Sequence, residues 1–123
     1  MENSKFQEAA EIALEKLPEK FKGMITNAII VIEDYPDDDT VKLMRLRSRY
    51  QLLGLYQGVP MTHRNTSYGM YPVTPDKITL YQKNIEKVCN TDTEVEEKVI
   101  EVLVHEIGHH FGMNEEEVRA AGF

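Results

Sequence analysis

His105-Glu106-Ile107-Gly108-His109-His110-Phe111-Gly112-Met113-Asn114-Glu115 carries most of the information in this chain. Two imidazoles four residues apart fall on one face of a helix, a turn apart, so both can reach the same cation. Glu106 follows the first histidine and so stands beside the place that a catalytic metal leaves open for water, where hydrolysis needs a base. Gly112 comes where a helix end needs the left-handed backbone. The string H-E-x-x-H-x-x-G-x-x-E therefore predicts metal-dependent hydrolysis, with His105 and His109 as zinc ligands and Glu106 as the general base. Two histidines paired by chance would leave Glu106 and Gly112 as further coincidences.

The third ligand is less directly given. One class of metallopeptidase takes a glutamate from a second helix well beyond the first motif, and no such helix follows before Phe123. The other class reverses the chain at a glycine and supplies a ligand six residues after the second histidine, which here is Glu115. Two histidines and a carboxylate, with water in the fourth place, make a familiar catalytic zinc site. Glu116, Asn114 and His110 are the alternatives. Compared with three histidines, the carboxylate lowers the site charge from +2 to +1 and makes the bound water less acidic. Activity at neutral to mildly alkaline pH follows as an expectation.

Other candidates carry less. Cys89 precedes the capping residues of the motif helix, and the rise from Thr93 to His105 alone is about 18 Å, so a structural cysteine is expected there. Met113 follows the histidines too closely for a specialised methionine turn and reads as core. His63 and Arg64 fall in an irregular loop, as exposed residues or as stabilisers of a tetrahedral intermediate.

The bulk numbers are those of an ordinary soluble globular protein. A chain of 123 residues predicts a single domain spanning 1–123 that needs no disulfide staple. A net charge of −7 argues against binding nucleic acid, whose phosphates require a basic face. No apolar run approaches membrane-spanning length, and no export signal is visible. With one cysteine, a cytoplasmic location is expected.

Periodicity predicts a helix over Ser4–Leu17, with Phe6, Ala10, Ala13 and Leu17 on one stripe and a Ser4/Gln7 capping box. It predicts strands at Asn27–Glu33, at Tyr50–Tyr56 (interrupted by Gly54) and at Ile78–Gln82. Short helices are expected over Thr40–Arg47 and Lys83–Val88, and an irregular loop over Met61–Val73. The acidic run Glu33–Asp39 and the basic residues Lys42–Arg49 read as solvated or locally paired surface, since the glycine and distal glutamate of a calcium loop are missing. The longest helix is expected over Thr93–Phe111, started by Thr91 with Glu94 or by Thr93 with Glu96. A last short helix is capped by Asn114 and Glu117.

Leu17-Pro18-Glu19-Lys20-Phe21, Val31-Ile32-Glu33-Asp34, Leu53-Gly54-Leu55-Tyr56-Gln57-Gly58-Val59-Pro60, Ile78-Thr79-Leu80-Tyr81 and the histidine motif occur in an order that resembles the small bacterial zincin-like metallopeptidases, the minimal zincins. The resemblance implies an α+β fold in which a small sheet packs on helices and the active-site helix lies beneath an edge strand. It further implies that Ile78–Gln82 is that edge strand, open to a peptide adding alongside. The family usually has aspartate where this chain has Glu115. The reading that results is a zinc peptidase with one zinc ion acting on a peptide or protein. Its rival is a non-catalytic interaction or regulatory module of the same fold, with the metal structural or absent. Hydrolysis of a non-peptide amide is a third, weaker possibility.

Overall fold

The computed structural model describes residues 1–25, 27–58 and 75–121. Its elements run α1 (Asn3–Glu15), α2 (Glu19–Lys22), β1 (Ala28–Glu33), α3 (Asp38–Leu43), β2 (Gly54–Gln57), β3 (Asp76–Tyr81), α4 (Gln82–Lys87), α5 (Asp92–His110) and α6 (Glu115–Ala120). Helices packed on a small mixed sheet make this an α+β fold, as expected.

The core forms where the apolar stripe of α1 meets that of α5. Phe6, Ala10 and Ala13 pack with Val95, Val99, Leu103 and Ile107, and Phe21, Ile78, Leu80 and Ile85 complete the cluster. Each large side chain buried there contributes roughly 1.5–3 kcal/mol relative to exposure. The long helix is thereby pinned along its length.

The sheet order is β1-β3-β2. β3 pairs parallel with β1, Ile30 opposite Ile78, and antiparallel with β2, Tyr56 opposite Ile78. This corrects the expectation for Ile78–Gln82: the strand is central, with partners on both sides, and Gln82 already begins α4. Ile78, Thr79, Leu80 and Tyr81 are all buried, as expected for a strand covered on both faces. The edge strand that lies against α5 is β2.

β2 is also shorter than the predicted Tyr50–Tyr56. The Asn84 side-chain amide donates to the carbonyls of Arg49 and Leu52, each at 2.8 Å, and takes them out of any ladder. Gly54 opens the strand instead of interrupting it. A Cβ there would lie 2.7 Å from Val102 Cγ1 and 3.3 Å from the Thr79 carbonyl oxygen, so the missing side chain lets β2 seat on α5.

At the N-terminus the Ser4/Gln7 capping box does not form. Glu2 occupies the cap position with no side-chain bond. The first turn is held through tertiary contacts: the terminal amine lies 3.4 Å from Glu86, and Gln82 donates to the Met1 carbonyl at 2.8 Å. α3 starts earlier than expected because Asp37 caps it, accepting from the Thr40 N–H at 2.7 Å. The expected loop over Met61–Val73 lies outside the described residues.

Gly54→Ala should destabilise the protein by about 1–3 kcal/mol, the usual cost of overpacking. In the Val102→Ala background the same change should cost less, because the clashing methyl is gone. Equal costs in the two backgrounds, measured by denaturant melts, would contradict this packing account.

Candidate metal centre

The site is assembled by a helix end, a tight reversal and a helix start. α5 begins with Thr91, whose side chain accepts from the Glu94 N–H at 3.1 Å, one of the two predicted caps. It runs to His110, which places His105 and His109 one turn apart with ring centroids separated by 5.9 Å. The end of α5 is a Schellman motif. The Met113 N–H bonds the Gly108 carbonyl at 2.8 Å, and the Gly112 N–H bonds the His109 carbonyl at 3.1 Å. Gly112 has φ +86°, a conformation that disfavours any residue with a Cβ.

The return arm is held by packing. Met113 is buried, as expected, and its sulfur lies 3.5 Å from where a Gly108 Cβ would be; Val118 Cγ2 lies 3.0 Å from that same point. Gly108 costs α5 about 1 kcal/mol in helix propensity, and its lack of a side chain lets α6 close on α5. Asn114 and Glu117 then form the predicted capping box, and Glu115 becomes the first residue of α6.

That geometry returns Glu115 to the histidines. Its Oε1 lies 2.7 Å from His109 Nε2 and 3.6 Å from His105 Nδ1. Ligand atoms about 2.0–2.2 Å from a tetrahedral zinc are themselves about 3.3 Å apart, so these separations bracket what a cation needs. Among the described residues, His105, His109 and Glu115 form the group whose donor atoms lie close enough to hold a metal ion, all within 4.8 Å of one another. The hydrogen bond from His109, followed by the charges of the two histidines, holds the Glu115 carboxyl below its usual range. It therefore stays ionised, as a ligand must.

Glu106 is placed differently. It is half-buried and accepts a hydrogen bond from the Tyr56 backbone N–H, which ties β2 to the helix. Burial pushes its carboxyl up, against the opposing pull of His109, that hydrogen bond and His105. Tyr56 is itself braced. His110 stacks on its ring at 4.0 Å, Phe111 meets it edge-on, and its hydroxyl donates to the buried Asp76 at 2.5 Å. His110 thus steadies β2 from an exposed position. Sequence reasoning gave neither Tyr56 nor Asp76 a part in the site, because neither is near the motif in the chain.

Of the other candidates, Cys89 is half-buried and lines a cavity with Met1 and Thr91, at the far end of α5 from His109. His63 and Arg64 lie outside the described residues.

Glu106 also makes a stability prediction. An acid whose folded pKa is raised stabilises the fold while protonated and loses that contribution as pH rises through the folded value. Glu106→Gln should therefore raise the melting temperature of the metal-free protein at pH 8 and leave it near wild type at pH 4. A variant that is no more stable at pH 8 would contradict the burial of this carboxylate.

The family comparison extends beyond the motif. The sequence model for zincin-like metallopeptidases matches residues 25–122. No curated protein matches the chain. Among solved structures, a conserved hypothetical protein from Thermus thermophilus is 24% identical, with a TM-score of 0.54, over 89% of this chain and 94% of that one. At that identity the likeness shows a shared fold. With the family match covering most of its length and the helix–reversal–helix motif in place, this chain belongs to the zincin-like metallopeptidase family.

Proposed function

We propose that the protein is a zinc-dependent peptidase in which His105, His109 and Glu115 hold the metal and Glu106 is the general base. The observation that carries this reading is the convergence of three donors within 4.8 Å beside a half-buried carboxylate. A metal that served only to hold the fold together would have no use for that carboxylate. Two imidazoles and one carboxylate suit zinc by donor chemistry. The chemistry that a bound zinc supplies is polarisation of a carbonyl and a water acidic enough to attack near neutral pH.

The remaining steps belong to the protein's own side chains. Glu106, held by the Tyr56 N–H, takes the proton of the attacking water and delivers it to the departing amine. Its burial suits this work, since a carboxylate with a raised pKa accepts a proton more readily. Glu115 is brought back to the two histidines by the Gly112 reversal. A peptide substrate would lie beside β2, because both edges of the strand at 76–81 are already paired. Among the described residues no helix is long and apolar enough to cross a membrane. A reducing cytoplasmic setting suits the free thiol of Cys89.

Glu106→Gln should lower kcat by at least about 100-fold, the ordinary contribution of a positioned base, while the protein keeps one zinc per chain. Full turnover by that variant would refute the assignment. Zinc uptake should release protons and weaken as pH falls, since the ligands bind only when deprotonated. The pH–rate profile should accordingly peak at neutral to mildly alkaline pH, and a base limb well below neutrality would contradict the +1 site.

A further inference from the structure

Positive charge gathers in one place on this acidic protein. Between α3 and β2 the chain carries Arg45, Arg47 and Arg49, all exposed, and the end of α4 brings Lys87 alongside. Arg49 lies 4.5 Å from the centre of the Tyr35 ring and 5.0 Å from that of Tyr50, and it donates to the Tyr50 hydroxyl at 3.0 Å. Lys87 Nζ lies 4.7 Å from the centre of the same Tyr50 ring. Among the described residues none of these four cations has a carboxylate within ion-pair distance.

The segment is firmly held, although it has no regular secondary structure. The Gln51 side chain accepts from the Arg47 N–H at 2.8 Å, and the Ser48 hydroxyl accepts from the Tyr50 N–H at 3.3 Å. Buried Asn84 fixes the carbonyls of Arg49 and Leu52. Arg45 follows α3 at φ +55°, where glycine is the residue that fits without strain. A long cationic side chain is kept there all the same. Four of the seven exposed large hydrophobics among the described residues are Leu43, Met44 and Tyr50, in this stretch, and Val88, next to Lys87.

We propose that this platform is a docking site for an acidic segment of a partner protein, in which aspartate or glutamate stands beside apolar residues.

The guanidinium of Arg49 has five N–H donors in a rigid fork that matches a carboxylate. One bond goes to Tyr50, and the two rings brace the rest, so little freedom is lost on binding. The exposed apolar groups give contact to residues beside that carboxylate. The cationic area is also bounded. Asp38 acts electrostatically on Arg49, and Asp37 and Asp39 flank Asp38 in the chain. A nucleic acid or an anionic membrane needs an extended basic face and would meet these acids. A short acidic segment need not. From Tyr50 it is about 7 Å of chain at most to Leu52, which with Leu53 lines a cavity of about 240 Å³ beside His105 and Glu106. A docked partner lies near the candidate metal centre, and the docking stands whether or not that partner is cleaved.

The test is equilibrium binding to the full chain, metal-free and zinc-loaded, followed by fluorescence anisotropy at low salt. The probes are a short labelled peptide of glutamate, leucine and tyrosine, its counterpart with every glutamate replaced by glutamine, an oligothymidylate, and phosphatidylserine vesicles. We expect the glutamate peptide to bind at least about tenfold tighter than the glutamine peptide, as several exposed ion pairs together give. The net charge of −7 repels that peptide from the rest of the surface, and added salt should erase the difference. Lys87→Gln, at an exposed helix end, should weaken binding at least about threefold. Arg49→Lys, which keeps the charge and loses the fork, should do the same. Lys20→Gln, an equal charge change on α2, should leave the affinity within about a factor of two. Failure of the glutamate peptide to bind, equal affinity for the two peptides, or a loss on Lys20→Gln as large as on Lys87→Gln would overturn the docking site. So would tighter binding of the oligothymidylate or the vesicles than of the glutamate peptide. Because binding is read without turnover, an inactive protein that binds the glutamate peptide would keep the docking site and count against the peptidase reading alone.

Discussion

The site depends on a reversal made by the backbone. A helix can place two imidazoles one turn apart unaided, but its third donor must come from somewhere else. Here Gly112, at φ +86°, turns the chain within two hydrogen bonds of the end of α5. Met113 and Val118 then close against the bare backbone of Gly108. Glu115 reaches His109 because these local events leave α6 little choice of direction, and the short Asn114–Glu117 capping box fixes where that helix starts. The Glu115 oxygen thereby comes to lie 2.7 Å from one imidazole and 3.6 Å from the other.

A second constraint comes from the sheet. β2 touches α5 where Gly54 faces Val102, and its Tyr56 N–H engages Glu106. The strand thereby positions the carboxylate that the motif supplies. Asp76, at the start of the central strand, fixes the tyrosine hydroxyl, and His110 covers the ring. The Glu106 carboxylate is thus held by a strand on one side and by its own helix on the other, the pre-organisation that positioned proton transfer would require. The same junction leaves the cavity lined by Leu52, Leu53 and Val102 open beside His105 and Glu106.

What could be read from the residue string followed the range of the interactions involved. The long helix, its Thr91 cap, the Gly112 reversal and the Asn114–Glu117 box are all set by groups within six residues of one another, and each appears where periodicity and capping chemistry place it. Lateral strand order is set by contacts across the chain, and there the reading failed: the strand at 76–81 pairs on both sides. The edge position had been implied by the family resemblance, yet Ile78 to Tyr81 are all buried. Asn84 shortened the predicted strand at 50–56 from more than thirty residues away. The link between Tyr56 and Asp76 was invisible for the same reason, since their hydrogen bond spans twenty positions.

The account turns on His105, His109 and Glu115 gripping one divalent cation. A crystal structure of the zinc-soaked protein, with anomalous data on both sides of the zinc absorption edge, tests this most directly. We expect a single strong anomalous peak about 2.0–2.2 Å from a nitrogen of each histidine and an oxygen of Glu115, with solvent at the fourth position. A peak on other residues, or Glu115 turned away from an occupied pair of histidines, would contradict it.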